Sequence, residues 1–109
     1  MVQAAGSGSN TKLVNLVKSL QREGAIKTQR IATVMQMVDR LDFVTRSDTS
    51  NAYRDNPLSI DHNVTISAPH MHAYCMEWLQ HKLQPGARVL DVGCGSGYLL
   101  ATFYELCKQ

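Results

Sequence analysis

The stretch RVLDVGCGSG, residues 88–97, decides the fold. A short β-branched and apolar run, Val89, Leu90 and Val92, stops in three alternating glycines, Gly93, Gly95 and Gly97, and helix-forming sequence follows. A strand that ends in a glycine turn and feeds a helix is the phosphate- or nucleoside-binding corner of an α/β fold. The turn needs unusual backbone angles, and a ligand must come close to the main chain. The spacing is G-x-G-x-G, with Tyr98 where the dinucleotide fingerprint would put its last glycine, and Asp91 stands two residues before the first. Two readings stand at this point. In one, a nucleoside-bearing cofactor lies over residues 93–97, Cys94 and Ser96 included, and Asp91 orients the turn and reaches for the ligand's amino group. In the other, the glycines make a plain tight turn between strand and helix.

Working outward, Pro69 opens a helix whose expected apolar stripe is Met71, Cys75, Trp78, Leu79 and Leu83, with Pro85-Gly86 turning the chain into a strand over residues 87–92. After Gly97 a further helix carries Leu99, Leu100, Phe103, Leu106 and Cys107. Two short amphipathic helices come first. Leu13, Leu16, Val17 and Leu20 form one stripe, with Asn10 or Thr11 as cap and Gly24 as stop; Ile31, Val34, Met35 and Val38 form another behind Thr28. Residues 45–57 are polar and turn-rich and read as a surface loop, and extended pieces are expected at Leu58–Ile60 and over residues 63–66. Residues 1–9 read as a disordered tail, and residues 10–109 as the front part of one domain. The acid that grips a ribose in such folds lies about 20 residues beyond the glycines, which from Gly93 falls just past Gln109.

Of 109 residues, 44% are hydrophobic, enough for a core and against general disorder. The net charge of +2 comes without a basic run and gives no support for nucleic-acid binding. The three cysteines form no C-x-x-C pair and read as reduced thiols. No leader or membrane span is read, so a cytoplasmic location is the expectation; a monomer is expected as well. His70 and His72 are two apart on a helix and face different ways. His72 with Cys75 has no third and fourth ligand at useful spacing, so no metal is expected.

The segment TISAPHMHA, residues 65–73, is the second feature. With Pro69 as first helical residue, Ala68 is a poor cap, and the amides of His70 and Met71 are open to a carboxylate that the Ser67 hydroxyl would also reach. Alternatively, Ser67 itself caps the helix.

The glycine motif resembles the first motif of class I S-adenosylmethionine-dependent methyltransferases. Together with YRDNPLSIDHNVTISAPHMHAYCMEWL from Tyr53 and the upstream VDRLDFV, it resembles the protein-L-isoaspartate (D-aspartate) O-methyltransferase family over about residues 11–107. The resemblance implies an α/β, Rossmann-like class I methyltransferase fold, here incomplete and with a helical N-terminal extension. It also implies S-adenosyl-L-methionine as cofactor and methylation of the α-carboxyl of isoaspartyl and D-aspartyl residues in damaged proteins, initiating repair. By the same resemblance, Ser67 is the hydroxyl at the reacting carboxylate, and Ala68, Pro69 and His70 line the acceptor site. Asp91, Gly93, Cys94, Gly95, Ser96 and Gly97 hold the cofactor, and Tyr53, Asp55, Pro57 and Ile60 shape the peptide pocket. Asp61 stands where the family usually has glycine. If that position is left-handed, aspartate tolerates it at a cost. The alternatives kept open are a non-catalytic adaptor segment and a related methyltransferase with another acceptor.

Overall fold

A computed structural model describes residues 10–108. The tail expected over residues 1–9 lies outside the described residues. Four helices and one hairpin follow in the order α1 (Thr11–Arg22), α2 (Gln29–Met37), β1 (Leu58–Ile60), β2 (Val64–Ile66), α3 (Pro69–Leu79) and α4 (Tyr98–Cys107).

The predicted stripes of α1 and α2 form the core: Leu13, Leu16, Val17 and Leu20 meet Ile31, Val34, Met35 and Val38. Asn10 holds the N-cap position of α1, but its side chain makes no capping bond. Gly24, at φ 84°, makes the left-handed stop that the sequence requires. Thr28 caps α2, its Oγ1 accepting from the Ile31 amide at 3.4 Å. Glu77 of α3 reinforces that start. Its Oε2 accepts from the amides of Lys27 and Thr28 at 2.7 and 2.9 Å, placing a carboxylate at a helix N-terminus.

α2 packs on α1, α3 and α4. Arg30 adds a polar tie on the same side, donating to the carbonyls of Gln80 (2.9 Å), Leu83 and Leu106 (3.0 Å). The Gln80 carbonyl also takes the Leu83 amide at 3.0 Å, whereas Leu106 lies in the last turn of α4, where carbonyls run out of intrahelical donors. Arg30→Met should therefore lower unfolding stability by about 2–3 kcal/mol in a denaturant melt, since charged hydrogen bonds are lost and carbonyls are stranded.

Several expectations are corrected. Of the expected α3 stripe Leu83 is buried and Cys75 half-buried, but the helix itself is turned round: His72, Ala73 and Met76 are buried, whereas Met71 and Leu79 are exposed and Trp78 is 81% exposed. The helix has two apolar faces, and the one toward α2 is taken. Residues 87–92 form no strand. A buried parallel strand needs ladder partners on both edges. Among the described residues it has none, so Leu90 and Val92 stand 86% and 85% exposed. Residues 45–57 are less irregular than expected, since a kinked 3-10 segment, Arg46–Asn51, occupies half of them. In the hairpin, Leu58 pairs with Ile66 and Ile60 with Val64. Its left-handed residues are His62 (φ 66°) and Asn63 (φ 60°), not Asp61, so the cost assigned to Asp61 falls on its neighbours.

Candidate functional site

The glycine turn keeps its conformation without the ladder. Gly93, Gly95 and Gly97 sit at φ 74°, 56° and 85°. A Cβ at Gly93 or Gly97 would meet nothing within 4 Å, so these glycines serve the backbone path and leave open space above it. The Gly97 amide closes on the Cys94 carbonyl at 2.9 Å, and Ser96 Oγ accepts from the Tyr98 amide at 3.2 Å. Cys94 is exposed. Asp91 is half-buried, and its carboxylate makes no hydrogen bond among the described residues, which leaves it open to a donor.

Gly95 and Ser96 face the hairpin across an open cleft of about 830 Å³, with Ile60, Val64 and Phe43 on its other walls. Ile60 is thus brought to the glycine turn. Ser67 does not line this cleft. It lies at the end of β2, exposed, and its hydroxyl has no hydrogen-bond partner among the described residues. Ala68 is the N-cap residue of α3 without a side-chain cap, so Ser67 does not cap the helix. Ala68 and Pro69 are buried and fix the backbone beside it.

The two amides expected to be open are not. The His70 amide donates to Asp55 Oδ1 at 2.9 Å, the His70 ring Nδ1 lies 2.8 Å from the same oxygen, and the Met71 amide bonds the Ala68 carbonyl at 3.0 Å. The carboxylate at this helix N-terminus is the chain's own. Tyr53 is drawn the other way: its hydroxyl donates to Asp39 Oδ1 at 2.6 Å, and burial with this bond raises its pKa.

Two further groups escaped the sequence reading. Arg40 is 2% exposed, and burial holds its guanidinium below its usual range. Tyr98, the first residue of α4, stacks on His72 (centroids 4.4 Å apart, 23° between planes) and takes the edge of Phe43 at 5.4 Å. Burial first, then the Arg40 charge, pushes His72 down to about 4, so it is neutral at pH 7. An arginine between two aspartates and a histidine two places from another carry no local sign of burial. Among the described residues, no group of three or more His, Cys, Asp or Glu gathers as a metal site, and no helix is long and apolar enough to cross a membrane.

A helical pair, a hairpin and a glycine turn feeding α4 make up part of a class I methyltransferase fold. A structure from Plasmodium falciparum, described as a beta-aspartate methyltransferase in complex with S-adenosyl-L-homocysteine, superposes with a TM-score of 0.79 at 39% identity over 86% of this chain and 41% of that one. The profile of the protein-L-isoaspartate(D-aspartate) O-methyltransferase family matches residues 10–109, and the chain belongs to that family. It is 50% identical to protein-L-isoaspartate O-methyltransferase 1 of Arabidopsis thaliana over 94% of its own length and 44% of the relative's. It is 44% identical to the Caenorhabditis elegans enzyme over 85% and 39%. The chain spans less than half the length of these relatives.

Proposed function

We propose that this chain supplies the cofactor corner and the acceptor hydroxyl of a protein-L-isoaspartate O-methyltransferase acting on isoaspartyl and D-aspartyl sites in damaged proteins. The observation that carries the reading is the pairing, within one family match, of a three-glycine left-handed turn with the unpartnered Ser67 hydroxyl. The glycine turn, the open Asp91 carboxylate and the cleft beside Gly95 fit a ligand with a nucleoside and an amino group. S-adenosyl-L-methionine, when bound there, supplies a sulfonium methyl.

The acceptor is an α-carboxylate, already ionised at pH 7 because its pKa is about 3.5. With the cofactor bound, one of its oxygens would be the nucleophile toward the sulfonium methyl, the neutral thioether being the leaving group, so no general base is needed. Ser67 donates to the acceptor carboxylate and orients it, so its contribution is positioning. Monomeric action in the cytoplasm belongs to the same reading.

Ser67→Ala should lower kcat for isoaspartyl methylation by about 10–100-fold, while calorimetry finds the affinity for S-adenosyl-L-homocysteine unchanged. An unaltered kcat removes Ser67 from the mechanism. A second reading, in which residues 1–109 on their own are non-catalytic, is favoured by the uncovered Trp78, Leu90 and Val92. Micromolar cofactor binding with a sharp thermal transition by the isolated chain defeats it.

A further inference from the structure

We propose that Arg40 is a positioning residue that sets the acceptor wall and the peptide loop relative to each other; this rests on the methyltransferase reading above. Arg40 opens the short 3-10 turn Arg40–Phe43 behind α2. Its neighbour Asp39 is held on both sides, Oδ1 accepting from the Leu41 amide at 2.9 Å and from the Tyr53 hydroxyl at 2.6 Å. The guanidinium then runs inward. Nη1 donates to the Ser67 carbonyl at 2.8 Å and Nη2 to the Asn56 carbonyl at 2.9 Å. The fork is planar and rigid, so it restricts how far apart the two carbonyls can lie.

Ser67 bears the acceptor hydroxyl, and Asn56 follows Asp55, which holds the His70 amide and ring. The contacts Asp39–Tyr53, Arg40–Asn56, Arg40–Ser67 and Asp55–His70 close a ring between residues 53–56 and 67–70. Arg40 bridges the two segments through their carbonyls, alongside the direct Asp55–His70 contact. A buried guanidinium whose Nε has no partner is a costly way to fill a core, and a Met would fill similar space without stranding a charge. What Met lacks is the fork.

The test uses the product of the complete reading frame that carries these residues, with Arg40→Met, Arg40→Lys and, as a control away from the site, Arg30→Met. Arg40→Met should lower kcat for an isoaspartyl peptide by about 100-fold, the scale of a small misplacement of reacting groups, with the KM for S-adenosyl-L-methionine within about threefold. Arg40→Lys, which keeps the charge but not the fork, should recover only part of the rate. Arg30→Met should lose stability without the fall in kcat. An Arg40→Met loss no greater than that of Arg30→Met, or one confined to cofactor KM, overturns the proposal. Hydrogen exchange on the Arg40→Lys protein provides the second readout. Faster exchange confined to residues 53–57 and 64–70 supports the tie, and unchanged exchange there overturns it. If the unsubstituted protein is silent toward the peptide, the methyltransferase reading fails, and exchange alone then decides whether Arg40 ties the two segments.

Discussion

Tyr98→Ala should cost about 3–5 kcal/mol of unfolding stability, the range for deleting a buried aromatic side chain from a core. Tyr98 is 2% exposed and follows directly on the left-handed Gly97, so it anchors the glycine turn to the interior. One face lies on His72 of α3, and the edge contact with Phe43 reaches the segment behind α2. Its removal opens a cavity where three parts of the chain meet. In a domain of this size each kcal/mol shifts Tm by about 4–8 °C, so Tm should fall by more than about 12 °C. Tyr98→Phe keeps the stack and should lose far less. A Tyr98→Ala loss under about 1 kcal/mol would mean that the stack does not hold the turn in place.

The same stack makes the chain sensitive to acid. His72 has its pKa depressed to about 4 in the folded chain, mainly by burial, against about 6.5 when unfolded. Above pH 6.5 the ring is neutral in both states and adds no slope. Between pH 6.5 and 4 the unfolded chain takes up a proton that the folded chain refuses, so stability falls as pH falls. The loss reaches about 3 kcal/mol by pH 4, below which the folded ring protonates as well. Urea melts at pH 7.5 and 4.5 on the parent and on His72→Phe should show the parent losing about 2–3 kcal/mol more than the variant. Equal losses would place a charged His72 in the folded core.

What could be read from the sequence follows the range over which each signal acts. Thr28, Pro69 and Gly24 are local signals, because a cap, a fixed φ and a left-handed stop need no distant partner, and each sits where expected. The two extended pieces expected at Leu58–Ile60 and residues 63–66 fall almost to the residue; their pairing as a hairpin is a finding of the structure. Readings that depended on neighbours fared differently. The β-branched run at residues 87–92 has strand chemistry, but a strand is a pairing, and no described residue supplies one. The face that α3 buries is set by its packing on α2, with Glu77 tied to the start of that helix, and its periodicity alone does not distinguish two apolar faces. The site divides in the same way. The glycines and Ser67 of the candidate site are legible as motifs, whereas the Asp55 carboxylate at the α3 N-terminus and the Arg40 fork join residues 15 to 27 apart in the chain.

These ties bear on the acceptor site. Asp55 occupies the α3 N-terminus, so under the proposed function Ser67 is the donor left for a substrate carboxylate on that wall.

The central claim is tested most directly by methyl transfer. The product of the complete reading frame is incubated with methyl-labelled S-adenosyl-L-methionine and one of two peptides that differ only in an isoaspartyl or a normal aspartyl linkage. The account predicts label in the isoaspartyl peptide and none in its twin. Equal labelling of the two, or label in neither, would contradict it.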